Sequence, residues 1–133
     1  MRAYKNRNSY RQVVMISYET EELIISLSEI TKTRPHYLRN AVVRQAYAGG
    51  RYSLPVLIRV ISRTYIGCPR TKVEQITAPT KDLLNSLAYE TGIGMGVLLS
   101  VAVLNYCQDY LGRYPNLLPL YNKVYSQCTT GGF

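Results

Sequence analysis

Short β-branched runs, each followed by two amphipathic stretches, set the pattern of this chain. Arg11-Gln-Val-Val-Met-Ile-Ser17 is rich in β-branched residues and too short for an ordinary helix, so it predicts a strand. Thr20 with Glu21 and Glu22 behind it reads as a helix N-cap with acids in the first turn. Leu23, Ile24, Leu27 and Ile30 then recur at helical spacing. After a break at Thr31-Lys-Thr33, a second helix is predicted from Thr33-Arg34-Pro35 to about Ala48, stopped by Gly49-Gly50. The same order returns downstream. Thr71-Lys-Val-Glu-Gln-Ile-Thr77 predicts a strand, Pro79-Thr80-Lys81-Asp82 a helix start, and Leu83, Leu84 and Leu87 its apolar stripe. A break at Thr91-Gly92 precedes a second helix predicted from about Gly94 to Leu111, with Gly112 as its stop.

Residues 11–49 align without a gap onto 71–109, a shift of 60, with nine identical pairs where chance would give roughly two or three. They are Val13/Val73, Ile16/Ile76, Thr20/Thr80, Leu23/Leu83, Ser26/Ser86, Leu27/Leu87, Thr31/Thr91, Leu38/Leu98 and Val43/Val103. A strand and two helices in so few residues cannot bury their own apolar faces. Each copy therefore needs the other: the two strands pair antiparallel and four helices pack beneath them. The expected fold is mainly α with a short two-stranded antiparallel β-ribbon, the two copies forming one globular domain. Around them lie an arm at 1–10, a linker at 50–70 and a tail at 113–133. Within the linker, Ser53 to Tyr65 predicts a further helix with Leu54, Leu57, Ile58, Ile61 and Tyr65 inward and Arg59, Ser62 and Arg63 outward; the tail supplies a short final helix. Val97 to Leu104 is apolar nearly all round and must be covered on every side, by these extra segments or by another chain. It is too short to span a bilayer, so no membrane partner is expected.

On these residues the sequence resembles the ribbon-helix-helix superfamily, the Arc/MetJ/CopG-like DNA-binding proteins. Leu38-Arg39-Asn40-Ala41-Val42 matches the Ile-Arg-x-Ala-Ile stretch of the family's second helix, and Thr33 and Pro35 sit where the family has its paired serines. In the second copy, Gly92-Ile93-Gly94 followed by Leu99-Ser100-Val101-Ala102-Val103 matches the glycine turn and the same helical stretch. The resemblance implies a tandem ribbon-helix-helix pseudo-dimer fused in one chain. Its paired strands would enter the major groove of double-stranded DNA, with outward side chains reading bases and second-helix N-termini on phosphates. The implied function is a sequence-specific transcriptional regulator of the kind common among bacterial, plasmid and archaeal viral regulators. Many family members bind as pairs of dimers, so a homodimer of pseudo-dimers is among the implied partners.

Charge agrees with that implication unevenly. The chain carries a net +8, yet residues 1–72 hold 13 of the 16 Lys and Arg and 4 of the 8 acids, which leaves the remainder at −1. Such a basic excess is an electrostatic footprint for nucleic acid, or for an acidic protein partner. Arg2, Lys5 and Arg7 lie in a polar N-terminal arm of the type that follows a phosphate backbone or minor groove.

The more charged strand face, with Gln12 and Val14 in one copy and Lys72 and Glu74 in the other, is expected to point outward as the base-reading face. Gln12 would pair with adenine, Lys72 with guanine or phosphate, and Val14 would touch a thymine methyl. Glu74 would accept from a cytosine amino group, or would mean that the second copy no longer reads DNA. A slip of one residue exchanges the faces. Phosphate contacts are expected from Arg11, Thr33, Arg34 and Arg70, and in the second copy from Gly94 and Met95, where the glycine-rich turn allows close backbone approach. That turn is no dinucleotide loop, because no strand precedes it.

No catalytic chemistry is legible. His36, the single histidine, has no nucleophile or carboxylate pattern with it, so no enzyme, cofactor or small-molecule substrate is expected. Cys68, Cys107 and Cys128 lack metal-ligand spacing and are odd in number, which predicts no metal site and fits a cytoplasmic protein. Thirteen tyrosines against one phenylalanine are expected mostly in core or interface positions with a wet hydroxyl. A contrasting reading, a protein-interaction or structural module of antitoxin-like or virion-associated type, accounts for the tyrosine-rich extras and the weakly charged second copy.

Overall fold

The computed structural model describes residues 12–47 and 61–130. Arg2, Lys5, Arg7 and Arg11 lie outside the described residues, as does most of the helix predicted in the linker. The chain runs β1 (Val13–Ser17), α1 (Tyr18–Thr31), α2 (Pro35–Tyr47), β2 (Thr71–Gln75), α3 (Ala78–Thr91), α4 (Met95–Cys107), two short 3₁₀ turns and α5 (Leu118–Cys128). It is mainly helical with one two-stranded antiparallel sheet, and β-α-α occurs twice in the same order. The register pairs Val13 with Gln75, Val14 with Glu74, Met15 with Val73, Ile16 with Lys72 and Ser17 with Thr71.

The helix starts differ from expectation in an instructive way. Ser17, not Thr20, is the N-cap of α1, and its hydroxyl accepts from Thr20 N at 3.1 Å. Thr77, not a residue of the Pro79-Thr80 pair, is the N-cap of α3, with the proline in its first turn. Both first helices end on a left-handed residue, Lys32 (φ 60°) in one copy and Gly92 (φ 76°) in the other. Glycine adopts that conformation freely, whereas lysine is strained in it.

The two copies hold one another through matching polar joints. Thr77 donates its N–H and its hydroxyl to Asn40 Oδ1 of α2 (3.0 and 3.1 Å), and its hydroxyl also meets that of Thr80 at 3.0 Å. Sixty residues away in each case, the Ser17 hydroxyl meets Thr20 at 2.7 Å, and Thr20 meets Ser100 of α4 at 2.7 Å. So each second helix bonds the strand–helix junction of the other copy. These joints lie in the core, Ser17, Thr20 and Ser100 being fully buried, where a polar group without a partner would be costly.

Helix α4 is the centre of the molecule. Val97 to Leu104 and Cys107 are all buried, under α1, α2, α3, α5 and β1. The cover that its all-round apolar surface demands is therefore supplied within the chain, α5 being the part contributed by the tail. The linker contributes in another way. Residues 61–65, expected as the end of a helix, are not helical: Ile61 forms a single bridge with Thr129, and the N–H groups of Ser62 and Ile66 donate to Cys128 O and Gln127 O, both at 2.8 Å. The last carbonyls of α5, which have no partner inside their own helix, thus take the N–H groups of this segment. No single helix among the described residues is long and apolar enough to cross a membrane.

Candidate nucleic-acid interface

The ribbon faces are exchanged relative to the expected assignment. Val14 and Ile16 are buried at 2% and 0% exposure, while Met15 and Val73 stand at 56% and Val13 at 37%. Thr71 and Gln75 are exposed beside them. The outward quartet is thus Val13/Gln75 and Met15/Val73, and Val14 is a core residue with no access to a thymine methyl.

The reason lies beneath the sheet. Glu74 turns inward to Arg39 of α2 at 3.4 Å and to Lys72 Nζ at 3.3 Å. Arg39, itself buried, also binds both carboxylate oxygens of Glu21 (3.2 and 3.3 Å) and donates from Nε to Gln75 O at 3.2 Å. Burial pushes the Glu21 carboxyl above its usual range, against the pull of the Arg39 guanidinium. Glu74 is therefore a structural anion, unavailable to a cytosine amino group. Lys72 belongs to the same inward-facing register, its half-exposed amine drawn to Glu74 rather than standing on the reading face. Gln12 precedes Val13 on the buried side, and its carbonyl accepts from Ile76 N at 3.0 Å.

The equivalent layer of the other copy is hydrocarbon: Leu99 stands where Arg39 does, Val14 where Glu74 does, and both are buried. Comparing the copies position by position would have found this, because charge at 39 goes with charge at 74, and hydrocarbon at 99 with hydrocarbon at 14. A strand read alone gives no such signal, since both of its faces are largely apolar.

The expected phosphate contacts divide. Thr33 is half-buried and Arg34 exposed at the start of α2, where the first N–H groups lack intrahelical partners. Arg70 is exposed, its guanidinium 4.4 Å from the Tyr18 ring centroid, so that it is held at the end of the ribbon. Gly94 and Met95 are different. Gly94 N donates to Arg63 O at 2.7 Å, and Met95 packs half-buried against the core. A side chain at Gly96 would collide with the Met15 carbonyl. The glycines do permit close backbone approach, but what approaches is the chain's own linker and β1.

Two cations were missed by sequence reasoning. Lys81 Nζ donates to Val13 O at 2.8 Å, beside the outward quartet. The exposed Arg63 lays its guanidinium against Gly92, where a hypothetical Cβ would stand 3.2 Å from Nη2. The second copy has Gly94 in place of Arg34, and the linker brings an arginine to that neighbourhood. Tyr65 seats this segment, its hydroxyl donating to Gly96 O at 2.9 Å and lying 2.8 Å from Ser100 Oγ, and burial pushes its phenol up to about 12.

Among the described residues no group of His, Cys, Asp and Glu is placed to hold a metal ion. The three thiols are unbridged, and burial raises each above the usual range, Cys107 to about 11 and Cys128 to about 12. Comparisons with protein-family models, curated proteins and solved structures found no match for this chain.

Proposed function

We propose that this chain is a sequence-specific double-stranded DNA-binding regulator of ribbon-helix-helix type, a fused pseudo-dimer that places its two-stranded ribbon in the major groove. The observation that carries this reading is the outward quartet of Val13, Met15, Val73 and Gln75, exposed on a ribbon flanked by Lys72, Lys81 and Arg70. A two-stranded ribbon fits the width of the major groove, and cations at its margins lie where phosphates would pass. The reciprocal joints at Asn40–Thr77 and Ser100–Thr20 support the pseudo-dimer, because each copy completes the other as two subunits would. On this reading Val13, Met15, Val73 and Gln75 read bases, and Arg34, Arg63 and Arg70 contact phosphates.

The reading is tested by binding to a random duplex pool across a salt series, followed by sequencing of the retained DNA. A recovered motif bound well above bulk DNA is expected, and Arg34→Ala should weaken it and lower the salt slope by about one. Retention that is unselective and lost at moderate salt would refute it. The contrasting reading, a protein-interaction module, is favoured by one feature: the outward quartet carries more hydrocarbon than hydrogen-bonding groups.

A further inference from the structure

From the chemistry of the outward quartet we infer that the ribbon recognises thymine C5-methyl groups, and so takes T·A-rich duplex DNA as its ligand; the inference rests on the proposed DNA-binding reading. Among the described outward strand residues there is no arginine or lysine to grip guanine O6 and N7, which is the commonest specific contact in a major groove. What the ribbon offers instead is mostly hydrocarbon, with the Thr71 hydroxyl at its end and Gln75 as its one amide. The thymine methyl is the only apolar group a base pair displays in that groove, and an amide matches adenine N6 and N7.

The hydrocarbon does not stand in an apolar surface. Lys72, Lys81 and Arg70 flank it, and the ribbon's own carboxylate, Glu74, is turned away and paired with Arg39 and Lys72. An apolar strip within a basic margin complements methyl groups lying between two phosphate backbones. An apolar protein partner would match the strip and leave the margin unpaired.

The register gives the arrangement a direction. Val13 and Val73 occupy equivalent places in the two copies, and so do Met15 and Gln75. Each half-site therefore presents a thymine to a valine. At the adjoining position the half read by β1 presents another thymine, to Met15, while the half read by β2 presents an adenine, to Gln75. The recognised sequence is T·A-rich and imperfectly palindromic, broken where methionine and glutamine differ.

The test uses the full chain and two duplex pools of the same random sequence, one made with thymidine and one with deoxyuridine, which lacks only the methyl. The site recovered from the first pool is then resynthesised with single deoxyuridine replacements. Each methyl touched is expected to be worth roughly 3-fold in affinity. Met15→Ala should abolish sensitivity at one thymine and leave the others intact. Met15 is exposed, so this variant keeps the core, and Val73→Ala provides an independent second case. A selected site bound equally well with uracil, or one dominated by G·C pairs, would overturn the inference while leaving the DNA-binding reading standing. Failure to select any duplex would overturn both.

Discussion

The layers beneath the two halves of the ribbon are built from different materials. Under β2, Arg39 is surrounded by Glu21, Glu74 and the Gln75 carbonyl; in the other copy the places of Arg39 and Glu74 are taken by buried Leu99 and Val14, and the counterpart of Glu21, Lys81, reaches out to the Val13 carbonyl. Both solutions fill the same position of the same repeated motif. A buried ion cluster gains little over hydrocarbon of similar volume, because desolvation offsets most of the attraction, but it cannot be dismantled one partner at a time. The charged layer is thus all-or-none, and the apolar one is tolerant. The difference also fixes the strand face, since an inward glutamate is acceptable only above an arginine.

That contrast predicts the largest effect. Arg39→Met leaves the buried Glu21 and the partly buried Glu74 without their shared cation and should cost about 3–5 kcal/mol of stability by chemical denaturation. Installing the other copy's combination, Glu21→Lys with Arg39→Leu and Glu74→Val, should recover most of that loss. Equal damage from the single and triple variants would show that the layers are not interchangeable.

The second-helix starts sharpen the comparison. Gly96 lies against the Met15 carbonyl, whereas its counterpart His36 is exposed. Gly96→Ala should destabilise by about 1–3 kcal/mol and His36→Ala by no more than about 0.5 kcal/mol, read from thermal or denaturant midpoints.

The linker packs on the second copy through Tyr65, whose phenol is raised from 10.0 to about 12. A group with a raised pKa stabilises the fold fully below its unfolded value and loses that contribution as pH climbs through the folded one. Stability should accordingly fall by about 2 kcal/mol between pH 10 and 12. Tyr65→Phe should be less stable at neutral pH and lack this part of the alkaline loss.

The smallest expected effect lies at the helix C-caps. Replacing Lys32 by glycine should relieve the left-handed strain and raise stability by at most about 1 kcal/mol, while Gly92→Ala should lower it by a similar amount.

Much of the architecture was legible because it is written locally and twice: short β-branched runs, helical spacing of leucines, and the antiparallel pairing that two lone strands require. The reading face was not. Its assignment from charge failed at Glu74, whose partner Arg39 comes from another element and is adjacent only in the fold. The glycines of the second copy were read as sites of close approach to a phosphate, but glycine carries no mark of what approaches, here Arg63 and Met15. The linker was misread over 61–65 because its apolar spacing suits a helix, while its N–H groups bond instead to carbonyls at the end of α5.

The most direct test of the central claim is to follow the methyl resonances of Val13, Met15 and Val73 by NMR while the selected duplex is added, with exposed Leu118 on α5 as the internal reference. Large shifts are expected in the methyl resonances of these three ribbon residues and none at Leu118. Unchanged ribbon methyls at a DNA concentration that saturates binding would contradict it.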